Sequence, residues 1–235
     1  EDIINAVAEE EKELTEAQAQ ARTDWTDEQL PIRPHPKDWE DVAFCDEFHF
    51  GIGPQTTKRL KRKEGREWRY KPYNVHWKKV TSKDTKAKAR EEEHLKLLNV
   101  FVVIGFNYKR LISYEVDNGV GKMTTIVYTS QILPALKADL IREGLTLCQD
   151  ADSAHKSKAT LKYARENDIK LLTLPGVSPD FSIVETMARP LKRRFHARRC
   201  MTEKAALAWF TQIFDEIDQK QVQGLYTWYT KRLHE

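Results

Sequence analysis

Three carboxylates sit where the surrounding pattern does not call for them. Asp46 falls inside Asp41–Phe50 (DVAFCDEFHF), where Val42, Phe44, Phe48 and Phe50 share one parity and the acid shares it with them. Such alternation reads as a half-buried strand, with an acid where an apolar side chain is expected. Asp150 directly follows the short apolar run Leu145–Gln149, and Glu185 lies near the start of a helical stretch that comes after Lys170–Leu174. In an α/β sheet, strand ends and helix starts converge on one edge. Three acids gathered there repel one another, and a hard divalent cation with oxygen ligands offsets that cost. Two such cations can activate a water and stabilise a departing oxyanion in phosphoryl transfer. Each acid also has an ordinary explanation. Asp46 pairs with a buried Lys or Arg; Asp150 forms a strand-end turn, with Asp152 as a rival of the same parity; Glu185 bonds Arg189 one helical turn on. Singly these explanations compete, and only the combination points to metal-dependent chemistry.

The elements needed to position the acids can be read along the chain. Residues 1–22 carry helically spaced Ile3, Ile4, Val7, Leu14, Ala17 and Ala21, with acids at the start, where a helix dipole favours them. Pro31, Pro34 and Pro36 then end the pattern. After the strand around Asp46, residues 51–97 read as an insertion. Asn99–Phe106 and Arg110–Val116 form an antiparallel hairpin across Asn107–Lys109. A helix is expected over Thr124–Glu143, bent or shifted by Pro134. Strand Leu145–Gln149, helix Ala154–Asn167, strand Lys170–Leu174, and helices Ser182–Arg199 and Thr202–Gln219 follow. The fold class is therefore α/β: a mixed sheet flanked by helices, antiparallel first and then αβαβα. The domain division is 1–35 as a helical tail and 36–235 as the α/β domain.

Composition removes several classes. The chain has 235 residues with 39 Lys+Arg against 36 Asp+Glu, a net charge of +3, so a nucleic-acid partner must be argued from charge distribution. An aromatic share of 10% is too high for a disordered chain. No apolar run approaches a membrane span, and the start Glu1-Asp2-Ile3 lacks both a signal-peptide pattern and an initiator Met, which reads as an excised fragment. Cys45, Cys148 and Cys200 are odd in number with no C-x-x-C pair, which favours a reducing compartment over a zinc module.

Taken together, the motifs resemble the catalytic domain of mariner-superfamily DDE transposases. That family's first strand is similar to W-S-D-E-S-x-F; here it is Cys45-Asp46-Glu47-Phe48-His49-Phe50, led in by Asp38-Trp39-Glu40-Asp41-Val42, which matches D-W-x-x-V. The family motif Q-D-N-A-P-x-H resembles Gln149-Asp150-Ala151-Asp152-Ser153-Ala154-His155, and S-P-D-L-N-P-I-E resembles Ser178-Pro179-Asp180-Phe181-Ser182-Ile183-Val184-Glu185. Between Asp150 and Glu185 lie 34 residues (185 − 150 − 1), the spacing of one large branch of the superfamily. The resemblance covers about residues 36 to 200. It departs from the pattern at Ala151, Ser182, Ile183 and Ala188.

The resemblance implies a ribonuclease-H-like fold and Mg²⁺ or Mn²⁺ in a two-metal site held by Asp46, Asp150 and Glu185 as catalytic residues. His155 and Asp152 would stand behind the ligands. It implies cleavage at transposon ends and transfer of the 3′-hydroxyl to target DNA, commonly at a TA step. It also implies a homodimer in the full-length synaptic complex, nuclear residence, and N-terminal DNA-reading modules for which the residues before Pro36 are too few. A domesticated DNA- or protein-binding module is the first alternative, motivated by the departures at Ala151, Ser182 and Ile183. Another ribonuclease-H-like nuclease is the second.

Positive charge concentrates in the insertion, with 15 Lys/Arg against 6 Asp/Glu between Lys58 and Lys96. Lys58, Arg59, Lys61, Arg62, Lys63 and Arg66 are candidate phosphate contacts. Trp68, Tyr70, Tyr73 and Trp77 are candidates for stacking on bases or on a partner subunit. A solvated loop with a few packing aromatics, or part of a nuclear import signal, explains the same run. Arg189, Lys192 and Arg193 recur at helical spacing from Glu185, opposite an apolar stripe of Val184, Met187, Leu191 and Phe195. The glutamate and these cations should therefore share an outward face.

Overall fold

The computed structural model describes residues 14–52, 96–117 and 122–234. Helix α1 spans Glu16–Gln29, and its start is set by a capping box in which Thr15 and Gln18 bond each other's backbone. It begins and ends later than the 1–22 periodicity suggests, and residues 1–13 lie outside the described part. A 3₁₀ turn, Pro36–Trp39, leads into β1 (Val42–Ile52). Strands β2 (Lys96–Ile104) and β3 (Lys109–Ser113) form the expected hairpin. Of the insertion expected over 51–97, residues 53–95 lie outside the described residues, and 51–52 and 96–97 belong instead to the paired strands β1 and β2.

The segment expected as one helix over Thr124–Glu143 comes in three parts. These are α2 (Thr125–Val127), a π-helical stretch Tyr128–Ile132, and α3 (Leu133–Arg142), with Pro134 in the first turn of α3, where its missing N–H costs little. Gly144 follows at φ 67°, the left-handed conformation that ends a helix most cheaply on glycine. Strand β4 (Thr146–Gln149), α4 (Lys158–Glu166), β5 (Lys170–Thr173) and α5 (Ile183–His196) follow. Helix α4 starts later than expected because Ser157 caps it through the N–H of Thr160.

The last helix expected, Thr202–Gln219, is corrected to α6 (Glu203–Asp215), after which a second helix, α7 (Gln219–His234), begins. Asp218 restarts the helix by accepting from the N–H of Lys220 at 2.9 Å. Val222, Tyr226, Tyr229 and Leu233 form the buried stripe of α7, at helical spacing in the sequence.

The sheet is mixed, in the order β3-β2-β1-β4-β5. Strand β1 is antiparallel to β2 and parallel to β4, and β4 is parallel to β5. Period-two alternation in β1 sends Phe44, Phe48 and Phe50 to one face, against α5, α6 and α7. Ala43 and Cys45 go to the other, against Tyr128, Ile132, Leu136 and Ala164. Over Val42–Cys45 both faces of β1 are dry, while further on Asp46 and Glu47 are half-buried and His49 is exposed. Burying Phe44, Phe48 and Phe50 completely contributes about 2–3 kcal/mol each. Helix α7 is tied to the entry of β1 by the Tyr226 hydroxyl, which donates to the Val42 carbonyl at 2.6 Å.

Among the described residues no helix is long and apolar enough to cross a membrane.

Candidate active site

The parallel pairing of β1 with β4 ends at Phe44↔Cys148, and Asp46 and Asp150 each lie two residues beyond that pair. Strand β4 stops at Gln149 while β1 runs on beside β2, where Asp46 faces Val102. A notch therefore opens at the carboxyl edge of the parallel strands, where α/β folds place their ligands. Helix α5 sets Glu185 in its first turn, at the positive end of the helix dipole, and Glu185 is exposed. Asp46, Asp150, Asp152 and Glu185 line one cavity of about 350 Å³, whose remaining wall includes Leu174–Pro179 and Ser182. All three acids singled out from the sequence thus open onto the same space.

Their electrostatics differ. Burial pushes the Asp46 carboxyl up from 3.8 to about 7, and the charges of Glu185, Glu47 and Asp150 add to the rise. The N–H of Glu47, which donates to Oδ1 at 2.7 Å, works against the rise. Burial would raise Asp150 too, but it is held below the usual range by a hydrogen bond with His155 (Oδ1 to Nδ1 2.6 Å) and by the N–H of Asp152 at 3.0 Å. Asp152 is likewise lowered against the effect of burial, by the N–H of Ala154 and by Lys122, whose Nζ lies 3.5 Å away.

His155 sits beneath Asp150, with only 4% of its side chain exposed. Burial alone would depress its pKa; Asp150 and Glu47 instead raise it to about 9, so it is an imidazolium at neutral pH. Its Nε2 lies 3.2 Å from Oε1 of Glu47, and among the described residues neither atom has a hydrogen-bond partner elsewhere. The ring packs against Tyr128 at 4.4 Å between centroids. The Tyr128 hydroxyl donates to Gln149 Oε1, and Gln149 Nε2 donates to the carbonyl of His155.

Glu47 and Tyr128 escaped the sequence reading. The adjacent acids Asp46-Glu47 were a visible signal for the first. Because side chains alternate along a strand, Asp46 turns to one face and Glu47 to the other, beneath Asp150. Tyr128 gave no signal, because its contact with His155 joins segments distant in sequence.

The donor set suits a hard cation. It consists of carboxylate oxygens, and the nearest soft donor, Cys45, is buried with its thiol pushed up well above the usual range. Among the described residues, however, no three His, Cys, Asp or Glu side chains already form a metal-binding cluster. The side chain of Asp150 is directed to His155. Asp46, Asp150 and Glu185 share the cavity.

Arg189, Lys192 and Arg193 are exposed on α5, on the side that carries Glu185, while Val184, Leu191 and Phe195 are buried and Met187 is partly so. Nζ of Lys192 also lies 5.1 Å from the Phe48 ring centroid. Lys58, Arg59, Lys61, Arg62, Lys63 and Arg66 lie outside the described residues.

Comparison with known proteins agrees with this architecture. The model of the DDE superfamily endonuclease family matches residues 67–208, well over half of the chain, and includes Asp150 and Glu185 but not Asp46. No curated protein sequence matches. Among solved structures, the Mos1 mariner paired-end complex with Mn is similar with a TM-score of 0.68 at 14% identity, covering 99% of this chain and 65% of that one. The catalytic domain of Mos1 mariner transposase is similar with a TM-score of 0.67 at 12% identity, covering 95% and 93%. The Mos1 transposase catalytic domain with Raltegravir and Mg is similar with a TM-score of 0.64 at 11% identity, covering 95% and 94%. The chain thus spans a little under two thirds of the paired-end-complex chain and nearly all of the isolated catalytic domain, and it has that domain's ribonuclease-H-like fold. With the expected mixed sheet, the cavity of acids and the family match in hand, this chain belongs to the DDE superfamily endonuclease family.

Proposed function

We propose that the chain is the catalytic domain of a DNA transposase, cleaving DNA at transposon ends and transferring the freed 3′-hydroxyl to target DNA. The observation that carries this reading is the convergence of Asp46, Asp150 and Glu185, from two strands and a helix, on one cavity at the carboxyl edge of the parallel strands. These three side chains would hold Mg²⁺ or Mn²⁺. Solved structures of similar fold are described as Mos1 complexes with Mn and with Mg. When bound, such a divalent cation neutralises the acids and supplies Lewis-acid activation of a water or hydroxyl and of the departing oxygen.

The protein's own contributions are positional. Asp46 sits half-buried on β1, and its site favours the charged carboxylate only when positive charge is near. His155, packed on Tyr128, anchors Asp150 from below, and Asp152 is steadied by the N–H of Ala154. Arg189, Lys192 and Arg193 would meet the phosphate backbone beside Glu185, joined by Lys58, Arg59, Lys61, Arg62, Lys63 and Arg66 of the insertion. The working form would be a homodimer on paired DNA ends, resident in the nucleus.

The test is strand cleavage by the full-length enzyme on DNA carrying its transposon ends. Asp150→Asn and Glu185→Gln, with unchanged circular dichroism, are expected to lower metal-dependent cleavage by about 10³-fold or more. A folded Asp150→Asn enzyme that cuts as fast as wild type would overturn the assignment. Efficient cutting of RNA–DNA hybrids with none at DNA ends would point to a different nuclease.

A further inference from the structure

Behind the cavity, the loop from Leu174 to Ser182 is held by a helix that belongs to neither strand nor helix layer of the site. Of the fourteen residues of α1, only Trp25 and Gln29 are buried, so a broad apolar face does not explain its attachment. Its grip is directional. The Arg22 guanidinium meets the Asp180 carboxylate in a two-pronged pair, Nη1 to Oδ1 at 2.8 Å and Nη2 to Oδ2 at 2.6 Å. The same Nη1 donates to the Val177 carbonyl at 3.3 Å, and the guanidinium carbon lies 4.2 Å from the Phe181 ring centroid. Trp25 stacks on Phe181, with ring centroids 5.6 Å apart, and its Nε1 donates to the Thr173 carbonyl at 3.0 Å.

Every one of these partners lies between the end of β5 and the start of α5. Val177 has φ 56°, a conformation that a β-branched residue adopts only under restraint. The 3₁₀ turn Pro179–Phe181 follows, then Ser182, and Glu185 stands in the first turn of the helix that begins at Ile183. Leu174 through Pro179 and Ser182 also line the cavity. Asp180 does not: it points away, to Arg22, with Arg232 at 3.6 Å as a weaker second cation.

We propose that Arg22 is a positioning residue, which with Asp180 braces the 174–182 wall and so fixes where Glu185 enters the cavity. A planar guanidinium suits the role, because its fork sets direction as well as distance. The inference rests on the reading of Glu185 as a metal ligand. It adds that α1, 158 residues before Asp180 in sequence, is part of the active-site scaffold.

Two measurements on the 235-residue chain test it: Mn²⁺ affinity by calorimetry, and hydrogen exchange of the amides of residues 174–187. Arg22→Ala and Asp180→Asn are each expected to weaken Mn²⁺ binding by about tenfold or more and to speed exchange in that segment. The double variant should be no worse than the singles. Arg22→Lys, which keeps the charge but not the fork, should recover part of the affinity. Arg33→Ala serves as control: it removes a comparable pair with Asp41 that lies outside the cavity lining, and should leave Mn²⁺ affinity unchanged. Unaltered exchange over 174–187 in both Arg22→Ala and Asp180→Asn overturns the proposal, as does an equal loss of Mn²⁺ affinity in Arg33→Ala. If the wild-type chain takes up no Mn²⁺, the metal reading of the site fails, and the exchange data alone decide whether the brace exists.

Discussion

Asp46 on β1 and Asp150 just past the end of the parallel β4 stand at equal height, yet their surroundings drive them in opposite directions. Asp46 is enclosed by the sheet, receives one backbone N–H and faces other acids, so its carboxyl is pushed up to about 7. Asp150 lies past the end of its strand, with 63% of its side chain exposed, and is held below the usual range by an imidazolium and a backbone N–H. Strand length makes the difference: β1 continues past the notch and β4 does not. One acid is thereby built to need positive charge from outside the chain, and the other carries its own counter-charge.

The largest effect that would break this comparison is on stability at Asp46. The folded carboxyl titrates at about 7 and the unfolded one near 3.8, so between these values the folded state holds more protons. Its contribution is fully present below pH 3.8 and is lost as pH rises through about 7. Without divalent metal, Asp46→Asn should therefore raise stability at pH 8, by on the order of 4 kcal/mol at most, and flatten the pH dependence seen in urea titrations. No gain at pH 8 would show that the site pays little for the charge.

Next in size is the Asp150 side. His155 titrates at about 9 in the folded chain against 6.5 unfolded, so the stability it contributes is present below pH 6.5 and lost as pH rises through about 9. Asp150→Asn should destabilise the chain by about 1–3 kcal/mol at pH 7, opposite in sign to Asp46→Asn. The His155 midpoint, followed by NMR, should fall in the variant; if it stays near 9, Glu47 alone sustains the charge. The smallest change sharpens the contrast further. Tyr128→Phe removes the bond to Gln149 and should cost about 1 kcal/mol in thermal unfolding, with the Asp46 titration unmoved.

Much of the scaffold was legible because it is periodic. The β1 alternation, the β2–β3 hairpin and the apolar stripe of α5 each follow from side-chain period against a dry face. Asp46 stood out by breaking such a period, and Asp150 and Glu185 by following strand runs. The stripe Val222, Tyr226, Tyr229 and Leu233 of α7 also repeats at helical spacing, but the helix expected over Thr202–Gln219 runs through Asp218, where the structure divides α6 from α7. The supports of the site were not legible in the same way. Glu47 to His155, Tyr128 to Gln149 and Arg22 to Asp180 join residues 108, 21 and 158 positions apart. Charge type alone does not say which of 39 cations Asp180 meets.

The amino-acid order by itself determined the element types, the mixed α/β class and the three acids, since these depend on local periodicity and on interruptions of it. Only the tertiary structure decided that Asp46 lies protonation-prone beside Glu185, that Asp150 is drawn to His155, and that Asp180 leaves the cavity for Arg22. Those outcomes depend on burial and on through-space distances of a few ångströms, which chain order does not encode locally.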